Sequence, residues 1–512
     1  FVVKWQSNEK LRGAGEDIKM KNLILAFICL LLAIPCNAAT ITVNWDGSGD
    51  YTTIQAAIDD AYNGDVVIIA PGTYTGEGNR DIDLGGHTIT VRSTNPDDPV
   101  IVAKTIIDCQ NNGRGFILNN NNSSLSGLTI TNGYTTSHGG GIHSYGSSPT
   151  ISNCIFSHNS AHAGGGMDAK KGWSQPKLIN CTFIANSSTY GGGGGLRIDS
   201  GCTATLSNCA FISNTANRYR GGGIRTSDSD ITLNNCIFIG NTAGDGGGGI
   251  GDNGAHPNVE LTNCTFFGNT AGETGGGIDV GHLSHQTLTN CIFWNNSDRN
   301  GIGELSQIGP EALTHSINYN CIQDWTGSLG GIGNIGDDPN FAPDGYHLLV
   351  CSPCIDTGDP AYDGAGETDI DGQTRVMGSR VDMGVDEFNL EEALLGIWPT
   401  GFEVLAAEGG PNPEAQVLYI YNAGIDTINW EVEENCNWLY VTPTTGESSG
   451  EVDKVTLSVD TTGLGRGGYN CLVAISDSNV ANSPQTVAVN IVVQGPIIEL
   501  SANKFEFHAD VN

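Results

Sequence analysis

The chain has 512 residues, of which 72 are glycine, 15% are charged and 7% are aromatic. An apolar fraction of 38% excludes a disordered chain, and the length implies more than one domain. A formal net charge of -34 excludes nucleic acid as a partner, because neutralising phosphates needs a basic surface, and it fits a solvated extracellular face.

In chain order, residues 1–19 form no recognisable module and read as an upstream extension before Met20. Residues 20–38 read as a signal peptide: Met20-Lys21, an apolar core from Leu23 to Pro35, then small residues for cleavage. That run is too short to span a bilayer and no other segment is a transmembrane candidate, so the expected location is secreted or at the cell surface. From Thr40 the chain enters a turn-rich region. Gln55 to Ala61 can form a short amphipathic helix closing one end, and Val66 to Ala70 reads as the first buried strand. Further strands follow at Ile89-Val91, Ile106-Ile107 and Leu128-Ile130.

One phrase, Asn-Cys-x-Phe-x-x-Asn, then occurs six times between Asn153 and Asn296. Its cysteines are Cys154, Cys181, Cys209, Cys236, Cys264 and Cys291, at spacings of 27, 28, 27, 28 and 27. Between phrases lies a glycine run closed by an apolar residue, at Ile142, Met167, Leu196, Ile224, Ile250 and Ile278. A fixed period with glycine-marked corners means a solenoid. Cys and Phe stand two apart, as on one strand face, and no repeat holds a ten-residue helical pattern, so the coils are short strands stacked in parallel about 4.8 Å apart. Identical residues then form ladders of Cys, Phe and Asn, with Cys321 a final rung at a spacing of 30.

These repeats resemble the right-handed parallel β-helix proteins of the pectate-lyase-like superfamily, in the polymorphic-membrane-protein variant with Gly-Gly-x-Ile and Phe-x-x-Asn elements. The resemblance covers residues 40–335 as the solenoid and 336–390 as its closing segment. The opening from Val43 to Ile58 is similar to pectinesterase-like β-helices. The superfamily carries lyases, hydrolases, esterases, adhesins and inert spikes, so it implies the fold and not one activity. The Gln-Asp-Thr-Leu and Gly-Arg-Pro-Trp words of the esterases, the Arg-x-Pro-x-x-Arg of pectate lyases and the Gly-His-Gly of polygalacturonases are absent from the sequence. His138 before three glycines mimics an oxyanion-hole motif, but the repeat already accounts for those glycines.

The six in-phase cysteines read as a buried stack of free thiols, because in-register side chains point the same way and meet disulfide torsions badly. Cys351 and Cys354 form a Cys-x-x-Cys with no second pair to complete a zinc site. Asp369-Ile370-Asp371-Gly372 is a fragment of a calcium-loop pattern, so Asp369 and Asp371 are the metal candidates and calcium the candidate cofactor; turn-forming aspartates are the alternative.

Residues 397–494 contain alternating strands at Val417-Tyr421, Trp438-Val441, Val455-Val459, Tyr469-Ile475 and Val487-Val493, which fit an immunoglobulin-like sandwich. The words Trp438-Leu439-x-Val441-x-Pro443 and Gly467-Gly468-Tyr469 resemble the BACON-type domain, a family associated with carbohydrate-active bacterial proteins. Cys436 and Cys471 are placed to bridge two strands. Residues 495–512 begin to repeat the pattern of Ile397 to Phe402 and read as the start of a second, truncated sandwich. The fold class expected is therefore all-β, a parallel solenoid followed by a sandwich.

For function, the residues after each Gly-Gly-x stop form one row: His143, Asp168, Arg197, Arg225, Gly251 and Asp279. Lys170, Lys171, Trp173, Tyr190, Arg218, Tyr219 and Arg220 lie in adjacent loops, and seven of the seventeen basic residues after position 39 fall between Lys170 and Arg225. A cationic groove with aromatic platforms suits an acidic polysaccharide or cell-surface glycan, since Arg pairs with carboxylate or sulfate and rings stack on sugar faces. The expectation is a glycan-binding or adhesive β-helix without a catalytic motif. The alternatives are a polysaccharide lyase using this basic patch to remove the proton α to a uronate carboxylate, and a purely structural stalk.

Overall fold

The computed structural model describes residues 38–495 apart from 253, 255–257, 282–283, 310–313 and 390. The readings of an upstream extension, a signal peptide and a second sandwich lie outside the described residues, save for their inner edges at Ala38 and Gly495. No helix among the described residues is long and apolar enough to cross a membrane.

The fold is all-β. A parallel solenoid is followed after residue 395 by a separate sandwich. Four sheets of 11, 8, 10 and 7 strands run along the solenoid, built by one strand per coil except that the seven-stranded sheet ends in the antiparallel pair Ser297–Asp298 and Gly301–Ile302. The glycine-closing residues open the strands of the eight-stranded sheet and stand in register, Ile142 with Met167, then Leu196, Ile224, Ile250 and Ile278. Each phrase turns its corner through its first asparagine: Asn153, Asn180, Asn208, Asn235, Asn263 and Asn290 have φ between 51° and 60°, the left-handed region that Asn tolerates.

Inside, the phenylalanines from Phe156 to Phe293 stack with ring centroids 4.4 to 4.9 Å apart. The second asparagine of each phrase is fully buried and closes a continuous polar ladder. Asn214 is typical. Its Nδ2 donates to the Phe183 carbonyl at 2.8 Å and to Asn241 Oδ1 at 3.0 Å, while its own Oδ1 accepts the Asn186 backbone N–H and side-chain Nδ2. Every amide hydrogen and both lone pairs thus have partners, the condition under which a buried polar group is tolerated. Gln307 ends the ladder by accepting from Asn296 Nδ2 at 2.8 Å. The six ladder cysteines are buried free thiols, and burial pushes Cys154 up to about 12.

Three expectations are corrected in detail. The first strand is Thr40–Val43, pairing in parallel with Val66–Ile69, and the helix Ile54–Asp59 packs Ile54, Ala57 and Ile58 against this end. Cys321 is not a rung: its partner across the sheet is Ile292, and the residue level with Cys291 is Asn320, whose Oδ1 accepts the Cys291 N–H at 2.8 Å. A slip of one residue turns a strand side chain to the opposite face. Cys321 therefore lies outside the solenoid core, packed with Cys354 and Met383. The segment up to residue 389 does not simply close the end. Trp325 and Leu329 pack on the core, and the chain then runs back along the flank, where Asn235 Nδ2 donates to the Thr368 carbonyl, Asn263 Nδ2 to the Tyr362 hydroxyl, and Asp359 N–H to Asn290 Oδ1.

The sandwich packs a four-stranded against a five-stranded sheet. Its first long strand, Gly401–Ala407, pairs in parallel with the last, Gln485–Gln494, while the other pairings are antiparallel. Cys436 and Cys471 are disulfide-bonded, with Cα atoms 6.0 Å apart.

Candidate functional site

The row expected from the glycine-closing residues forms as read. His143 is level with Asp168, then Arg197, Arg225, Gly251 and Asp279. It is not an open cationic groove. These side chains point away from the solenoid core, but the preceding loops lie over them, and Arg197 and Arg225 are only 5% and 8% exposed. The cause is local. Gly192 has no side chain, and a Cβ there would stand 2.4 Å from Arg225 Cδ, so the arginine of the next coil fills that gap. Its Nη1 reaches the Gly191 carbonyl at 2.9 Å.

Charges within the row compensate one another. Arg197 Nε meets Asp168 Oδ1 at 2.5 Å and its Nη2 lies 3.4 Å from Asp199. His143 Nδ1 is 3.1 Å from the other Asp168 oxygen. Burial alone would push the Asp168 carboxyl up, but the hydrogen bond with His143 and the charge of Arg197 outweigh it and hold the group below its ordinary value. Arg220 pairs with Asp279 at 2.9 Å and with Asp245 at 3.5 Å, and Lys170 Nζ is 3.9 Å from Asp199.

What remains outside is a ridge of rings. Tyr145, His143, His138, His162 and Tyr190 follow one another with centroids 6.4, 6.2, 6.0 and 5.7 Å apart, the last pair stacked. Exposed cations sit on its tyrosines: Lys171 Nζ is 4.9 Å from the Tyr145 ring centre and the Arg218 guanidinium 4.8 Å from that of Tyr190. Arg225 takes the same position 5.1 Å from the ring of Tyr219. Trp173, at 95% exposure, stands beside Lys171 with φ of 74°. Burial pulls the His138 imidazole below its ordinary value, which favours a neutral ring at neutral pH. The sequence reading placed Lys171, Trp173, Tyr190, Arg218 and Tyr219 on this exposed surface and omitted Tyr145, His138 and His162. No shared phase marks those three, since His138 precedes its glycine run and His162 follows an asparagine rung; only their sequence proximity to the row could have flagged them.

The calcium pair does not converge. Asp369 is buried and both its oxygens serve backbone N–H groups, those of Asp371 and Gln373 on Oδ1 and that of Glu387 on Oδ2. It is a turn-forming aspartate, whereas a calcium site needs about six to eight oxygens aimed at one point. Asp371 instead faces His347, 2.7 Å from its Nε2.

No curated protein matches the chain. Among solved structures, pectate lyase Pel9A matches at 16% identity over 69% of this chain and 97% of that one, with a TM-score of 0.42. A Bacteroides ovatus GH5 xyloglucanase in complex with a XXXG heptasaccharide matches at 14% identity over 20% of this chain, with a TM-score of 0.15, and the match spans only 19% of the xyloglucanase. The periplasmic chaperone SfaE matches at 11% identity over 20% of this chain and 60% of its own, with a TM-score of 0.16. Residues 412–488 match the model described as a viral BACON domain, which identifies the sandwich as a BACON domain. Matches to the model described as a right handed beta helix region cover residues 42–211, 105–272 and 194–328, more than half of the chain, which accordingly belongs to the right-handed β-helix family.

Proposed function

We infer that this is an exported β-helix protein that binds polysaccharide along the ring ridge from Tyr145 to Tyr190, with Lys171 and Arg218 reading anionic groups at its edge. The observation that carries this reading is the closely spaced run of rings, three on one coil and then His162 and Tyr190 on the two coils that follow, with both tyrosines exposed and the imidazoles half-buried between them. Coils repeat about every 4.8 Å, near the length of one sugar unit, so His138, His162 and Tyr190, one to a coil, are spaced to meet successive sugars of an extended chain. The tyrosine faces are backed by cations, an arrangement suited to a uronate or sulfated glycan. Binding is favoured over turnover because Lys170, Arg197 and Arg220, bases a lyase would need, are paired with carboxylates.

The test is affinity electrophoresis of the parent chain and a His162→Ala, Tyr190→Ala variant on neutral, uronate and sulfated polysaccharides. Both side chains are at the surface, so the variant keeps its fold, which unfolding curves verify. Retention of the parent on an anionic glycan and its loss in the variant supports the reading. Equal retention of both removes the ridge as the site, and growth of ultraviolet absorbance from an unsaturated product would select the lyase instead.

A further inference from the structure

The junction between the flanking segment and the sandwich gathers a second cluster, independent of the ridge. Tyr421, on the sandwich strand Gln416–Asn422, donates its hydroxyl to Asp344 Oδ2 at 2.5 Å, and His347 Nδ1 lies 2.6 Å from the same oxygen. Asp344 Oδ1 accepts the backbone N–H groups of Tyr346 and His347, both at 3.1 Å. Asp344 is thus fully engaged behind the imidazole. A carboxylate in that position fixes the ring and its tautomer and leaves Nε2 for a ligand on the other side.

Nε2 faces Asp371 Oδ2, and with one carboxylate oxygen of Asp386 the three ligand atoms all lie within 4.8 Å of one another. Asp386 is only 5% exposed, yet it accepts a single hydrogen bond, from Leu348 N–H to Oδ2 at 2.7 Å. Its other oxygen has no protein donor among the described residues. A largely buried carboxylate with one oxygen free of protein donors has that oxygen open to a cation, which would offset the cost of burying the charge.

We propose that His347 Nε2, Asp371 and Asp386 bind a first-row divalent metal ion of the zinc or manganese kind, which ties distant turns of the flanking segment together beside the sandwich. One imidazole nitrogen with two carboxylates is a donor set for such ions, whereas calcium and magnesium take oxygen-only shells. Ligand bonds of about 2.0–2.2 Å require the Nε2 to Asp371 contact to open slightly around the ion. Asp371 has the freedom to move, its side chain being 41% exposed. Tyr421 of the sandwich holds the carboxylate behind the ligating histidine, so the site touches the sandwich through Asp344, and binding of the ion is coupled to the folding of the flanking segment.

The experiment uses Co²⁺ as the probe, titrated into the whole chain with its accessible thiols alkylated. One equivalent should bind with visible d–d bands and no thiolate-to-metal charge transfer, and competing Zn²⁺ should displace it. Asp371→Asn, at the most exposed ligand, should weaken binding at least tenfold, and its cooperative metal-free unfolding verifies that it folds; His347→Gln should abolish binding. Overturning results are no saturable binding, equal binding by Asp371→Asn, a charge-transfer band that puts the metal on thiols, or displacement by Ca²⁺ as readily as by Zn²⁺. Adding one equivalent of Zn²⁺ should also raise the unfolding temperature of the parent and not of Asp371→Asn. A shift of equal size in both would remove the coupling.

Discussion

Asp168 and Arg197 stand on neighbouring coils with Oδ1 and Nε 2.5 Å apart, both buried outside the apolar core. A pair in that position is structural. Asp168→Ala should therefore lower stability by up to about 3–5 kcal/mol, because it takes from a buried guanidinium its closer carboxylate and leaves it only Asp199 at 3.4 Å. Denaturant unfolding followed by circular dichroism measures this.

The same carboxylate gives the molecule an acid limit. Its folded value is held below its ordinary one, so its contribution is complete above the unfolded value of about 4 and lost as pH falls through the lower folded value. His138 acts in the same direction at higher pH. Its folded value is lowered, so below the unfolded value of about 6.5 the unfolded state takes up the proton first and stability declines. Burial raises Asp382, Asp386 and Glu387, which act in the opposite sense over the same range, so the His138 contribution is read by comparison: from pH 7 downward the unfolding temperature of the parent should fall relative to that of His138→Gln.

Arginines of the patch should separate by role. Arg225→Ala should reduce stability and affect glycan retention only through unfolding, because the side chain is covered and reaches the Gly191 carbonyl. Arg218→Ala should leave stability within about 0.5 kcal/mol, as surface changes do, and weaken retention on anionic glycans. Paired unfolding and retention assays distinguish the two. The reverse pattern would contradict the ridge.

Asn214→Leu should cost about 1–3 kcal/mol for each backbone or side-chain group it leaves unpaired, and those groups sit on both neighbouring coils. An apolar residue of similar volume is therefore expected to be worse tolerated here than at a ladder cysteine such as Cys209, whose thiol makes a weak contact to the Ser207 carbonyl. Equilibrium unfolding of Asn214→Leu and Cys209→Val compares them directly.

Thiol chemistry checks the cysteine stack. Of the eleven free cysteines among the described residues only Cys351 is exposed. A thiol reagent should label that site in the folded region and reach the other ten only in denaturant.

The solenoid was legible because its period carries the register: the Asn-Cys-x-Phe-x-x-Asn phrase places a turn, an inward thiol, an inward ring and a buried amide at fixed offsets. Where the spacing changed to 30, counting alone misplaced Cys321 by one residue, and one residue in a strand reverses the side chain. The basic row was legible as a row and not as a buried one. Alternation separates core from outward positions, but it cannot show that a glycine loop from the preceding coil covers Arg225. The cluster at His347 has no period at all, since Asp344, Asp371 and Asp386 are brought together by the irregular folding of the flanking segment, and Tyr421 is added from the sandwich.

The asparagine ladder makes each coil offer one neighbour what the other neighbour offers it: an amide to donate above and a carbonyl oxygen to accept below. A coil of 27 or 28 residues could be duplicated or excised without creating a new kind of interface. Length in this molecule is consequently open to change by gene duplication, while the outward row and the ridge, which differ from coil to coil, record what each added copy has become.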